Sequence, residues 1–421
     1  SSHLAQFESR KILAAEGSVM APRARRSVLS AALAGLALLG GCTFVSSPGA
    51  RVAGQARRTV QHATPVMEAE EVEPTSFSVV VGGFSVESGK VAVITGASTG
   101  IGLATVEGLV KSGEYGTIVM AGRDVQKHQE AMEGLREKMP NLTQPVELRY
   151  LPLDLASLKS VRSFKEAFYS LNMELDTLIL NAGVMALPER KQTEDGYEYQ
   201  FGVNHLGHFL LANLMMDKLA ASGTERDPSR VIALSSSAHQ FPSKLLKGDL
   251  GDLQSDEYTP WGAYGQSKLA NLLFAYELDR RCRAKGLSVV ANALHPGVVN
   301  TELFRYAGPG TSARLGLLPT DTVQSLTKPF LQYVLKSPED GAKTSVILAT
   351  QPEGKLSGRY WQDGRPTASV DFDPLNDLPT AAKDLLPFRP KLTSYDPKIW
   401  EELWNESEIL VGLRPEDVTS L

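Results

Sequence analysis

The sequence predicts an α/β fold in which a parallel sheet is covered by helices on both faces. Three observations carry this. From residue 89 onward, short apolar or β-branched runs alternate with segments of helical period. Six such runs recur with helices between them, the pattern of a parallel sheet buried on both sides. The first run opens into a glycine-rich turn, with Gly96, Gly100 and Gly102 spaced G-x-x-x-G-x-G, directly before a helix.

The elements follow in order. "KVAVIT" (90–95) is a strand, and a helix is expected over 101–112. "GTIVMAG" (116–122) is a strand, followed by a helix over 125–138. "VELRYLPLD" (146–154) is a strand and "LASLKSVRSFKEAFYSL" (155–171) a helix. "LDTLILNAG" (175–183) is a strand, and a long helix is expected over about 193–221. "SRVIALSSS" (229–237) is a strand, and after a loop comes a helix over 263–281. There Leu269, Leu272, Leu273, Tyr276 and Leu278 recur at three- and four-residue intervals, so it reads as amphipathic. "LSVVANALHPG" (287–297) is the sixth strand. Right-handed crossovers then give a doubly wound Rossmann-type arrangement. Past Gly297, residues 320–351 suggest two helices, the second with Ser337 as N-cap and Pro338 at N1. "SGRYWQDG" (357–364) is a candidate seventh strand, and 396–413 a terminal helix carrying Ile399, Leu403, Trp404 and Ile409. The expectation is a seven-stranded, mainly parallel sheet.

Composition sets the limits. The chain has 421 residues, 42% hydrophobic and 22% charged, an ordinary globular profile. A net charge of -5 gives no reason to expect nucleic acid as a partner. The two cysteines, Cys42 and Cys282, form neither a disulfide framework nor a metal-ligand spacing, so no metal is expected.

The N-terminal part is biased. Residues 17–67 contain no Asp or Glu, and acids arrive together at Glu68, Glu70, Glu71 and Glu73. Met20 opens a basic segment (20–26), followed by an apolar stretch (27–41) too short for a comfortable span and a Ser-, Thr-, Ala- and Arg-rich stretch (43–67). A signal-like segment before a transit-like one resembles the two-part presequence of algae with complex plastids, and Phe44 just after the apolar stretch fits it. A plastid address is therefore expected. "LGGC" (39–42) resembles a bacterial lipoprotein site, so the alternatives are a bacterial membrane-anchored protein or an endoplasmic-reticulum-associated one. The expected organisation is a presequence over 1–84, one nucleotide-binding domain over 85–413 and a tail over 414–421.

The glycine turn has a chemistry. Glycine lets the backbone turn sharply and approach a pyrophosphate, and the helix N-terminus offers free N–H groups to it. Ser98, Thr99 and Ile101 lie between and beside these glycines. The second strand ends with Gly122 where an NAD site usually carries an acid for the ribose hydroxyls, and Arg123 follows, able to pair with a 2′-phosphate. That favours NADP(H), while Asp124 one step on leaves NAD open. Asp154 and Leu155 at the third strand end fall beside the adenine. Asn181, Ala182 and Gly183 end the fourth strand, where a small backbone lets the cofactor cross.

"TGASTGIG", "NAG", "NHLGHFLL", "SSSAH", "YGQSK" and "HPGVVNTEL" occur in this order over 89–413. Together they resemble the short-chain dehydrogenase/reductase family. Within it the chain is similar to the branch of retinol dehydrogenases, WW-domain oxidoreductases, a chloroplast-envelope translocon dehydrogenase and light-dependent protochlorophyllide reductases. The resemblance implies that Tyr264 exchanges a proton with the substrate oxygen. Lys268, four residues on, would lower the phenol's pKa and bind the nicotinamide ribose. It implies that Ser236 orients the substrate oxygen and that Asn204, a helix-interrupting residue, holds a water in the proton relay. Ser235 and Ser237 are expected to be strand-end hydrogen bonders, and His205 and His208 structural. Pro296, Gly297 and Val299 would lie over the nicotinamide carboxamide, with Thr301 near a phosphate.

Ser236 and Tyr264 are 28 positions apart, longer than in many relatives (264 − 236). In the intervening stretch Phe241, Leu245, Leu246, Tyr258 and Trp261 are candidates for an apolar substrate mouth. The expected function is NADP(H)-dependent hydride transfer between nicotinamide and a carbonyl or alcohol of a hydrophobic, retinoid-like substrate. Light-dependent protochlorophyllide reduction is the alternative. Against it, that enzyme's long insertion before Tyr264 is missing, and so is a Cys there. A third reading is an NADPH-sensing subunit of a plastid protein-import complex. Peripheral membrane association and homodimers formed through the helices of Asn204 and Tyr264 are further expectations from the family.

Overall fold

The computed structural model describes residues 76–82, 89–142, 144–240, 258–297, 299, 336–367 and 396–421. The strands are β1 (Phe77–Val81), β2 (Lys90–Thr95), β3 (Tyr115–Gly122), β4 (Val146–Pro152), β5 (Thr177–Leu180), β6 (Ser229–Leu234), β7 (Val289–His295), β8 (Arg359–Gln362) and β9 (Arg365–Thr367). They form one sheet in the order β1-β4-β3-β2-β5-β6-β7-β8-β9. From β4 to β8 every pairing is parallel. The order reverses between β2 and β5, so a crevice opens there at the carboxyl ends of the strands.

Among the described residues the sheet has nine strands, not seven. β1 pairs antiparallel with β4, from Phe77 opposite Tyr150 to Val81 opposite Val146. β9 pairs antiparallel with β8. Both complete an edge that would otherwise leave backbone donors and acceptors open. β1 also corrects the expectation that folding starts after residue 84. The "FSVVV" run before that boundary is part of the sheet.

The helices are α1 (Gly100–Ser112), α2 (Val125–Lys138), α3 (Leu158–Ser170), α4 (Gly207–Leu214), α5 (Met216–Ser222), α6 (Pro260–Ala284), α7 (Pro338–Thr350) and α8 (Pro397–Leu410). Their starts follow local chemistry. Asp124, Ser157, Thr259, Ser337 and Asp396 each accept a backbone N–H of the first turn with their side chains. Pro260, Pro338 and Pro397 stand where a missing N–H costs nothing. The first helix expected between 320 and 337 lies outside the described residues.

Two layers of core flank the sheet. Along β2, Val91 and Val93 pack with Phe164, Phe168, Phe209 and Trp404 on the side of α3, α4, α6 and α8. Ala92 and Ile94 pack with Leu109, Met132 and Leu348 on the side of α1, α2 and α7. Both faces of the strand are buried, which is why its sequence is apolar without alternation.

Two helices differ from expectation. The long helix over 193–221 begins only at Tyr199, because Glu198 caps it by accepting the N–H groups of Gln200 and Phe201. It then passes through a π-turn at Gly202–Leu206 and breaks at Met215. α6 is not amphipathic. It is buried at nearly every position from Ala263 to Asp279, since it lies between β7 on one side and α8 on the other. The stretch read as a tail also packs on the domain. Arg162 donates to Asp417 at 2.8 Å and to the carbonyl of Gly412 at 2.8 Å, and Thr419 donates to Asp217.

Candidate active site

The crevice is built from the carboxyl ends of β2, β5, β6 and β7. At the end of β2, Gly96 and Gly100 take φ of +65° and +57°, a region that L side chains resist. A Cβ on Gly102 would stand 2.2 Å from the Gly96 carbonyl oxygen and 2.6 Å from Asn181 Nδ2. Thr99, the N-cap of α1, makes no side-chain cap bond, and the first turn holds no acid. The N–H groups of this helix end therefore face the crevice without a competing side chain, and the glycines leave room for a pyrophosphate there. The residues present fit a dinucleotide. Gly102→Ala is accordingly expected to weaken binding of a nicotinamide dinucleotide by tenfold or more, on the order of 1.4 kcal/mol. Cofactor fluorescence titration checks this, and unchanged affinity would contradict the cradle.

Thr95 ties the glycine loop to the end of β5. Its hydroxyl accepts the N–H groups of Asn181 and Ala182, both at 2.9 Å. Asn181 Nδ2 donates back to the Thr95 carbonyl at 2.8 Å. His208 completes the knot. Its Nδ1 donates to the Asn204 carbonyl at 2.9 Å, so its Nε2 accepts from the Thr95 hydroxyl at 2.8 Å. Burial holds the ring near a pKa of about 3 and thus neutral. His205 is likewise buried and pairs through Nε2 with Ser407. Both histidines serve the framework.

Asn204 lies in the π-turn, fully buried. Its Nδ2 donates to the Val184 carbonyl and to Ser267 Oγ, both at 2.9 Å, and its Oδ1 accepts the Val184 N–H at 2.8 Å. The side chain clamps the segment after β5 to α6, with both amide protons engaged.

α6 carries Tyr264 and Lys268, 6% and 4% exposed. Lys268 Nζ donates to the Leu234 carbonyl at 3.1 Å and lies 5.7 Å from the centre of the Tyr264 ring. A Cβ on Gly183 would stand 3.4 Å from this Nζ and 3.2 Å from Asn204 Oδ1, so the glycine keeps the ammonium within reach of the crevice. Ser235 Oγ donates to the Lys268 carbonyl at 2.7 Å, joining the end of β6 to α6. Ser236 lies close enough to the Tyr264 phenol to pull its pKa down. Its Oγ also accepts the Ala238 N–H.

The electrostatics correct one expectation. Burial pushes the Tyr264 phenol up to about 12, and the nearby Ser236 side chain opposes this. Burial pushes Lys268 itself down to about 8. The ammonium donates to the Leu234 carbonyl, and desolvation is the largest influence on the phenol.

Around Tyr264, Met185, Ala186 and Ala238 form a small apolar cluster. Ala186 has φ of +50°, and its N–H is held by Gln200 Oε1 at 2.7 Å. These residues carried no signal in the sequence beyond following "NAG" and "SSS". Trp261 stands edge-on to Tyr264 at 6.1 Å and is 37% exposed. Tyr258 donates to the Leu187 carbonyl. Phe241, Leu245 and Leu246 lie outside the described residues.

At the other end of the crevice, Arg123 Nη1 donates to the Tyr199 hydroxyl at 3.0 Å and lies 4.0 Å from Asp154 Oδ2. Asp154 Oδ1 accepts the Ala156 N–H, which fixes the turn containing Leu155. Gly297 has φ of +88°. Val299 bridges to Lys336. A Cβ on Gly341 would touch both Val299 and Ile101, so the segment after β7 approaches the start of α1. Pro296 precedes this bend, and Thr301 lies outside the described residues. A separate surface cavity of about 430 Å³, lined by Thr224, Arg283, Val289 and Lys355, lies at the amino ends of the strands, away from these groups.

Residues 90–247 match the family model described as short chain dehydrogenase. The chain is 39% identical to polyprenol dehydrogenase of Mus musculus, over 77% of this chain and 85% of that protein. It is 41% identical to retinol dehydrogenase 13 of Homo sapiens, over 78% and 87%. It is 36% identical to short-chain dehydrogenase TIC 32 A, chloroplastic, of Brassica napus, over 67% and 82%.

Proposed function

The chain belongs to the short-chain dehydrogenase/reductase family, on its retinol-dehydrogenase-like branch, and from that premise we propose that it is an NADP(H)-dependent oxidoreductase of apolar carbonyls and alcohols. The observation that carries the reading is the convergence of Ser236, Tyr264, Lys268 and Asn204 beside a glycine cradle. The relatives are named for polyprenol and retinol, both isoprenoid alcohols, which supports a long isoprenoid-like substrate. Arg123, without an acid at Gly122, supports NADP(H) over NAD(H).

In this mechanism the bound nicotinamide supplies the hydride. Ser236 holds the carbonyl oxygen, and Tyr264 gives that oxygen its proton. Lys268, with three N–H donors of which one meets Leu234, holds the ribose and keeps positive charge near the phenolate that forms. A phenol held at about 12 is protonated at neutral pH, so for carbonyl reduction it arrives with the proton it has to give.

The pH dependence follows from Lys268. Its charge is present below about 8 and is lost above it. kcat/KM for carbonyl reduction is therefore expected to be level near neutrality and to fall as pH rises through about 8. A profile still level at pH 10 would remove Lys268 from the reaction.

The deciding assay incubates the full chain and NADPH with all-trans-retinal in darkness, and with protochlorophyllide in darkness and light. NADPH oxidation with retinal in the dark supports the reading, and chlorophyllide formation only in light would replace it. A plastid location is supported by the chloroplastic relative and by the acid-free stretch 17–67. Among the described residues no helix is long and apolar enough to cross a membrane. Import of a fusion carrying residues 20–84 into isolated plastids tests this address.

A further inference from the structure

The strand end before Arg123 is closed to any side chain, and we propose that His128 closes it and so fixes the cofactor choice jointly with Gly122. The inference rests on the NADP(H) reading above.

Gly122 ends β3. A Cβ built on it would stand 2.4 Å from His128 Cε1 and 2.8 Å from Nε2, closer than real Cβ contacts come. The imidazole thus occupies the space into which a residue at 122 would project. It is not free to swing away. Its Nδ1 donates to the Asp124 carbonyl at 2.7 Å, one turn back on α2. Its ring packs on Tyr150 with centroids 4.9 Å apart. The Tyr150 hydroxyl in turn donates to the Gly122 carbonyl at 3.1 Å. Strand end, phenol and imidazole brace one another, and His128 is 2% exposed.

The same arrangement is hostile to an acid. Nδ1 carries the proton, so Nε2 presents a lone pair, and this buried atom has no partner among the described residues. A carboxylate at 122 would meet a steric wall and then an acceptor. The group that would hold both ribose hydroxyls and repel a 2′-phosphate has no place there. Recognition of that end is left to Arg123, whose side chain is 59% exposed. The selectivity is therefore written in two positions, and a change at 122 alone cannot reverse it.

The test measures dissociation constants of NADPH and NADH by cofactor fluorescence on the full chain. The proteins are the wild type, Gly122→Ala, Gly122→Asp, His128→Ala and both double variants, with folding followed by circular dichroism. Gly122→Ala is expected to weaken both cofactors about equally, by roughly tenfold, and His128→Ala to restore them in the double variant. Gly122→Asp is expected to lose both. With His128→Ala added it should bind NADH, with a preference shifted about 30-fold from the wild type. Wild-type affinity in Gly122→Ala, or an NADH preference in Gly122→Asp alone, would overturn the closure. So would a folded Gly122→Asp/His128→Ala protein that binds neither cofactor. A wild type that binds NADH more tightly would instead overturn the NADP(H) reading, and the Gly122→Ala pair would still decide the closure.

Discussion

Tyr264→Phe is expected to lower NADPH-dependent carbonyl reduction by about 10³-fold, with the NADPH dissociation constant changed by no more than about twofold. The substitution removes only the hydroxyl. The ring keeps its contacts with Met185, Ala186 and Ala238, so the apolar pocket is retained. What disappears is the proton and the polar group beside Ser236. Lys268 keeps its bond to the Leu234 carbonyl, and the glycine cradle is untouched. The loss should therefore appear in kcat rather than in binding. Turnover within tenfold of the wild type would remove Tyr264 from the acid role. No turnover in the wild type with any carbonyl, beside tight NADPH binding, would favour a cofactor-sensing protein instead.

Trp404→Ala is expected to destabilise the domain by about 3–5 kcal/mol, measured by reversible denaturation. Trp404 is 2% exposed on α8. Its ring stacks on Phe274 at 5.7 Å with an interplanar angle of 11°, and Phe209 meets it edge-on at 4.9 Å. Arg281 lies 4.5 Å over its face, and its Nε1 donates to Glu408 at 2.7 Å. Phe274 belongs to α6, so the terminal helix supports the helix that carries Tyr264. Trp404→Phe should recover most of the loss. A cost below about 1 kcal/mol for the alanine variant would mean that α8 is a loose appendage.

Local chemistry accounts for what could be read early. β2 and β3 are buried on both faces, so their residues are apolar throughout and stand out from helical neighbours. The caps at Asp124 and Ser337 act within three residues of themselves. Glycine at 96, 100 and 102 is required by backbone geometry that a single loop already defines. The edge strands were not readable in this way. "FSVVV" is a strand because β4 offers an open edge to it, and nothing within those five residues records that neighbour. The π-turn at Gly202–Leu206 is similar. The clamp on Asn204 comes from Val184 and Ser267, which are distant in sequence.

By itself, then, the sequence determined the alternation of strands and helices, the glycine-rich turn before α1 and the residue types of the Ser–Tyr–Lys–Asn set. Each of these depends on spacing along the chain or on the chemistry of one residue. Only the tertiary structure decided how those groups are charged and which neighbours limit them. The Tyr264 phenol is held high because α6 is buried on nearly all sides. Asn204 is fastened by its amide, and Gly122 is closed by an imidazole six residues further on. Desolvation and close packing are properties of what surrounds a group, and those surroundings come from parts of the chain that meet only when it folds.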